Sequence, residues 1–384
     1  MDYMTATERL ETAIGLGKPD RVPVIPIYDF FTSHYGGITQ QEMFFDLKKA
    51  DMALEKTIYD LGPIDGQHLS YGGIGRIMEI IFPTPPIMPG MRGTPQDAQF
   101  QFVEKSVIGP EEYARLRERN PILWLLDTLK INHPGFHSPL GIGKSLGIIG
   151  IDALKMRISA RKWLKKGVES TVAYNIPFTP MEWISIALRS YTDFVLDIFR
   201  YPEELKVASK ALMFPMKMQG MIMVALTGVK RVFMGGTRTS ASSLSPKQFE
   251  EFALPEWQEM AEYYVARGIT PFLHLDSDWT PFFPYLKSLP ARKCVLNLDG
   301  TSDIFKAKEI LGDHMCIMGD VPATMLKLGE PGEVDEYCRK LITEIGADGG
   351  FILSSGCTVP PDSRPENVKE MIASVHRYGR YPIR

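Results

Sequence analysis

The sequence predicts an α/β fold, a (β/α)8 barrel with a hairpin or loop excursion over its mouth. Two observations carry this. In the last third, four short apolar runs each end in residues able to bind a metal or move a proton: Ile269-Thr-Pro-Phe-Leu-His274-Leu-Asp276-Ser-Asp278, Cys294-Val-Leu-Asn-Leu-Asp299-Gly, Cys316-Ile-Met-Gly-Asp320 and Phe351-Ile-Leu-Ser-Ser-Gly-Cys357. Amphipathic stretches of helical length separate them, and strand-helix alternation builds a parallel sheet or barrel whose chemistry collects where the strands end. The length, 384 residues, suits one barrel domain over 1–384 with insertions.

In chain order, a helix over about 5–16 stops at Gly17-Lys-Pro, and Val22-Pro-Val-Ile-Pro-Ile27 reads as the first strand, with Tyr28, Phe30 and Phe31 at its mouth. Gly and Pro recur from about 70 to 105, with the alternating Phe100-Gln-Phe-Val-Glu-Lys-Ser following Pro83-Thr-Pro-Pro-Ile-Met-Pro-Gly, which suits turns and edge strands capping the mouth and makes a candidate lid. A helical region over about 180–226 breaks at Tyr201-Pro202. The next strand, Val229-Lys-Arg-Val-Phe-Met, leads into the Gly235-Gly236-Thr-Arg238-Thr loop. Ser245-Pro-Lys-Gln248 is a helix start by capping box, with a stop near Arg267-Gly268; Ser363-Arg-Pro-Glu366 repeats the start signal for a last helix ending near Tyr378-Gly379. Asp299 and Asp320 read as N-caps. No internal repeat or low-complexity linker interrupts this order.

With 44% hydrophobic and 23% charged residues the chain can bury a sizeable core, and a net charge of −3 argues against a nucleic-acid or membrane-surface binder. The first residues carry charges where a signal peptide needs an apolar core, and no stretch approaches the roughly 18 apolar residues of a membrane span, so a cytoplasmic protein is expected. Four widely spaced cysteines read as reduced thiols. Twenty methionines suit an adaptable apolar pocket or ordinary core gaps.

The strand ends supply the candidate site. His274 and Asp276, two residues apart, share one strand face, and Cys357 follows a glycine at the end of the last run. Cys294 and Cys316 begin their strands, where a small apolar filler is the simpler role.

Several blocks carry a family resemblance: Thr7-Glu-Arg-Leu followed by Gly-Lys-Pro-Asp20-Arg21-Val-Pro-Val, Leu244-Ser-Pro with Phe249-Glu-Glu-Phe and Pro255, Leu273-His-Leu-Asp, and Ser355-Gly-Cys357 with Pro-Glu366-Asn-Val. Over most of its length, least between about 70 and 180, the chain resembles the uroporphyrinogen decarboxylase superfamily, and within it the corrinoid-dependent methyltransferase branch. The decarboxylases carry Arg-Gln-Ala-Gly-Arg after the first strand to clamp a polycarboxylate; here Tyr28-Asp-Phe-Phe-Thr-Ser-His34-Tyr stands there. The methyltransferase branch binds zinc through His-x-Cys on one late strand and Gly-Cys on the last. This chain keeps His274 and Cys357 and replaces the middle cysteine by Asp276.

The resemblance therefore implies a zinc (Zn2+) site at His274, Asp276 and Cys357, with Asp278 as a further catalytic group and Cys316 as a further ligand. Aspartate makes such a site harder, which tells against activating a thiol and fits departure of a phenolate from an aryl methyl ether. The expected activity is transfer of that methyl group to Co(I) of a corrinoid on a partner protein, since the Asp-x-His-x-x-Gly corrinoid signature is absent from the chain. Tyr28, Phe30, Phe31, Trp279 and Phe282 would wall the ring, and Arg238 would meet a ring carboxylate or hydroxyl. Two other readings stand beside it: a methyltransferase acting on a thiol such as coenzyme M or with another donor, and a silent relative that only binds a corrinoid protein. A homodimer is compatible with all three.

Overall fold

The protein is described by a computed structural model covering residues 2–67, 72–172 and 176–383. Ser70 and Tyr71, at the start of the expected excursion, lie outside these described residues. The strands are β1 (Gly66–Gln67), β2 (Glu169–Ser170), β3 (Arg231–Gly236), β4 (Thr270–Leu275), β5 (Val295–Leu298), β6 (Cys316–Val321) and β7 (Phe351–Ser355). All pairings between them are parallel: β1 with β2, and β3 through β7 in sequence order. With residues 22–27 as the first staves, the architecture is a TIM barrel.

The first stave explains its own irregularity. Pro23 and Pro26 have no N–H, so a full ladder is impossible there. The remaining donors are still satisfied: Val22 N reaches Gly379 O at 2.9 Å, Ile25 N reaches Leu353 O at 2.9 Å, and the side chains of Asp65 and Ser355 accept from Val24 N at 2.8 Å and Ile27 N at 3.1 Å. Asp65 also accepts from Arg9 Nη1 at 2.5 Å and Arg21 Nη1 at 2.6 Å, while Arg9 Nε donates to Asp20 at 2.7 Å. The Asp20-Arg21 pair is thus part of a buried ion cluster that joins the first stave to β1.

The helix starts follow the sequence closely. Thr5 and Ser245 close capping boxes on the helices Ala6–Ile14 and Pro246–Gln248. The region 180–226 breaks at Tyr201 and once more near Arg189-Ser190, giving Tyr191–Arg200 and Pro202–Thr227. Three expectations are corrected. The last helix, Pro365–Tyr378, starts one residue later than its signal, so Arg364 and not Ser363 is the N-cap. Asp299 accepts from Ser277 N and Thr301 N, joining two strand ends, while Asp303 caps the helix Ile304–Leu311. Asp320 lies inside β6, where the Tyr337 hydroxyl donates to it at 2.7 Å and burial pushes its carboxyl up to about 7.

The excursion is larger than expected. A helix Gly75–Ile81 precedes an antiparallel bridge between Ile87 and Gln101, and the helices Glu111–Arg115, Pro121–Lys130 and Pro139–Lys165 follow before the chain enters β2. Its inner face sends Ile77, Met78, Phe82, Phe100 and Phe102 toward the barrel.

Removing one carboxylate from the ion cluster leaves two buried guanidinium groups short of a partner. Asp65→Ala should therefore cost about 3–5 kcal/mol, read as a fall in the denaturation midpoint; an unchanged midpoint would show that the cluster does not hold the first stave.

Candidate active site

His274, Asp276 and Cys357 meet at the strand ends. His274 Nε2 lies 3.2 Å from Asp276 Oδ1 and 3.6 Å from Cys357 Sγ, and Sγ lies 3.9 Å from the same carboxylate oxygen. One nitrogen, one oxygen and one sulfur thus fall within 4.8 Å of one another. Among the described residues no other group of His, Cys, Asp and Glu is arranged this way. Such a donor set fits zinc with a fourth position open to substrate.

Strand register sets the geometry. His274 pairs across the sheet with Gly235 and Asn297, and Asp276, just past β4, stands one layer higher on the same face. Asn297 orients the imidazole: its Nδ2 donates to Met318 O at 3.3 Å, which leaves Oδ1 to accept from His274 Nδ1–H at 2.5 Å. Nε2 then faces Asp276 and Cys357, as a metal-binding histidine requires. Burial alone would lower the His274 pKa, but the Asp276 carboxylate and Cys357 outweigh it and hold it well above its ordinary value. Burial likewise opposes ionisation of Asp276, and His274 and Thr237 overcome it, so its pKa is lowered.

Asp276 is held from two sides. Thr237 Oγ1 donates to Oδ2 at 3.0 Å, and the Trp279 indole N–H donates to its backbone carbonyl at 2.9 Å. The Thr237 loop hangs on a buried carboxylate: Glu182 Oε1 accepts from the backbone N–H groups of Thr237, Arg238 and Thr239 at 3.1, 3.0 and 2.9 Å. Glu256 lies behind it, accepting from Met181 N at 2.9 Å. Burial, opposed by these hydrogen bonds, pushes the carboxyls of Glu182 and Glu256 up to about 7 and about 8.

The trio sits in the wall of a cavity of about 560 Å³. Ile77, Met78, Phe82, Phe178, Met218 and Phe233 are among its apolar lining, while among the described residues its polar lining is Asp29, Gln219, Thr237, Arg238, Thr358 and the trio. Phe233 stacks on the His274 ring at 5.1 Å.

Other expected site residues lie elsewhere. Cys316 pairs with Val295, in the layer of Phe272 two residues below His274, where it is fully buried as a core filler and burial pushes its thiol up. Asp278 follows Ser277, whose φ of 70° turns the chain, and its carboxylate accepts from Thr280 N at 2.9 Å. Trp279 and Phe282 are core residues around Phe249, with Phe282 stacked on it at 4.2 Å, so Trp279 supports Asp276 from behind and walls no substrate. Tyr28, Phe30 and Phe31 are buried because the helix Asp29–Gly36 starts at once after the first stave; Phe31 packs between Tyr28 and Tyr35, and Phe30 packs on Phe44 and Phe100. Arg238 does line the cavity, but its guanidinium donates to Ser185 O at 2.6 Å and pairs with Glu104 of the excursion. Asn297, Thr237 and Glu182 escaped sequence reasoning; an asparagine inside the run Val295-Leu-Asn-Leu298 is the visible signal for the first.

Residues 159–378 match the family model described as uroporphyrinogen decarboxylase (URO-D), more than half of the chain. The chain belongs to the uroporphyrinogen decarboxylase family. Family relatives include the uroporphyrinogen decarboxylases of Chlorobium phaeovibrioides, 29% identical over 140 residues, and Colwellia psychrerythraea, 30% identical over 146 residues. These matches span 35% and 36% of this chain and 39% of each relative. The fold of this URO-D family chain is similar to that of a methyltransferase from Methanosarcina mazei, with a TM-score of 0.69 and 15% identity over 97% of this chain and 99% of that one.

Two outcomes follow from the geometry. Asn297→Ala should weaken zinc or cobalt(II) binding by about 10–100-fold while leaving the circular dichroism spectrum unchanged; equal affinity in a metal titration would show that the asparagine does not orient His274. Glu182 and Glu256 have folded pKa values above the unfolded 4.5. Their stabilising contribution is therefore full below that value and is lost as pH rises to about 8. Thermal midpoints should fall across this window, and Glu256→Gln should flatten the fall.

Proposed function

We propose that this protein transfers the methyl group of a methoxylated aromatic compound to Co(I) of a corrinoid carried by a separate protein. The observation that carries this reading is the placement of a nitrogen, oxygen and sulfur donor set at one side of a cavity whose walls are otherwise mostly aliphatic and aromatic. Among the described residues a polycarboxylate would find one arginine there, already engaged by Glu104 and Ser185. An uncharged ring with a methyl ether matches the apolar wall, and its oxygen matches the polar one.

The reaction breaks the methyl C–O bond, leaves the electron pair on the phenolic oxygen and gives the methyl group to cobalt. Zinc, when bound by His274, Asp276 and Cys357, would supply a Lewis acid for the charge on that oxygen. Asn297 keeps Nδ1–H turned away so that Nε2 faces the substrate side. Thr237 fixes one oxygen of Asp276 and leaves the other toward His274. The apolar walls limit water on the inner side of the trio, which strengthens the charge interactions there.

Thr237 is exposed and Cys357 and Thr358 are half-buried, so a partner's corrinoid would approach the trio from that side. Transfer to a thiol on the same scaffold is the second reading, and Asp276 in place of a thiolate disfavours it.

Mixing the protein with a Co(I) corrinoid protein and guaiacol or vanillate should produce the methyl-Co(III) absorbance band and a catechol. Asp276→Ala should lower the rate on the order of 100-fold. Consumption of methyl-Co(III) on adding a thiol, with no reaction of any aryl ether, would replace this reading by the second; corrinoid-protein binding that survives loss of His274 and Asp276, with no turnover in any form, would replace it by a binding role.

A further inference from the structure

The excursion helix Pro139–Lys165 carries an apolar face that none of the described residues covers. Leu140, Ile151, Leu154 and Ile158 are 85, 58, 56 and 62% exposed. At 100° per residue they fall on one stripe, opposite the buried Asp152, Met156, Ser159 and Trp163. Gly147 lies on the same stripe with open space where a Cβ would be. Single exposed aliphatic residues are ordinary, but a row of this length is not.

The charge around the stripe is as informative. Although the whole chain has a net charge of −3, this helix holds six Lys or Arg and one acid, Asp152, which is buried. Lys144, Lys155 and Lys162 flank the stripe on one side and Arg157 and Arg161 on the other. Nearby acids offset part of this: Asp152 pairs with Lys155 at 3.4 Å, and Asp51 and Glu55 lie 3.8 and 3.7 Å from Lys162. The remaining face is aliphatic in the middle and basic at both edges.

We propose that this helix docks the protein onto an anionic lipid bilayer, lying in the interface with its aliphatic stripe among the acyl chains and its Lys and Arg at the headgroups. Lysine and plain aliphatic residues are the composition of interfacial helices, whereas protein interface cores favour aromatic residues and lose lysine. Pairing with a second copy is disfavoured by charge, because two such helices packed antiparallel bring their lysine-bearing flanks together. Among the described residues no helix is long and apolar enough to cross a membrane, so the contact is peripheral. The same helix sends exposed Leu146 into the cavity lining, where exposed Ile122 and Ile222 join it. If the aryl ether reading above holds, an apolar substrate dissolved in the bilayer would enter there.

The test needs no turnover, so it stands or falls apart from that reading. The full chain should cosediment with phosphatidylcholine vesicles containing phosphatidylglycerol, bind pure phosphatidylcholine vesicles less, and be released in part by high salt. Leu154→Asp with Ile158→Asp should weaken binding roughly tenfold or more, and Lys144→Glu with Arg161→Glu should do the same with the stripe intact. Sedimentation velocity on the same variants reports association. A dimer that the Asp variant dissociates, without vesicle binding, would overturn the proposal in favour of a second copy; a monomer that ignores anionic vesicles would overturn it in favour of an acidic protein partner.

Discussion

Everything in this barrel hangs on closing it at a stave that cannot make a regular ladder. Two prolines remove donors from residues 22–27, and the closure is completed by the carboxylate of Asp65 and the hydroxyl of Ser355 standing in for backbone. Asp65 can do this only because Arg9 and Arg21 neutralise it out of water. The stave then delivers Ile27 and Asp29 to the cavity wall and Val24 to its place beside Leu353 on β7. Cys357 follows two residues beyond that strand, so the position of a candidate ligand depends on an ion cluster at the opposite end of the barrel.

The second dependence runs sideways. Glu256 supports the turn at Met181, Glu182 of the same turn gathers three backbone N–H groups of the loop after β3, and that loop aims Thr237 at Asp276. A buried carboxylate serving as an acceptor for consecutive amides resembles a helix cap turned inside out, and it fixes a glycine-rich loop that would otherwise be free to move. Gly236 is required there by space: a Cβ would stand 2.5 Å from the Trp279 ring.

The barrel and its trio were legible because strand runs are apolar, strand ends are not, and parity along a strand fixes which side chains share a face. His274 and Asp276 obey that rule, and so does Cys316, whose parity is right but whose layer is too low; the sequence shows alternation and conceals height. The aromatic residues after the first stave misled for another reason. Adjacency to the strand puts Tyr28, Phe30 and Phe31 at the mouth, but a helix that begins at Asp29 turns them into the surrounding core. Trp279 and Phe282 failed the same way. The helices between 111 and 165 went unread because they line an insertion, where family blocks are sparse and periodicity alone must speak.

Of the four cysteines, Cys294, Cys316 and Cys338 are fully buried and Cys357 alone meets solvent. Oxidants therefore reach the candidate site before they reach the core. A sulfenic or sulfinic acid at Cys357 would remove the soft donor and crowd the space beside His274 while the three buried thiols of the core stay reduced. If the trio holds the metal proposed above, air would leave a folded protein that binds it poorly, and only reductant applied before the sulfinic stage would restore the thiol.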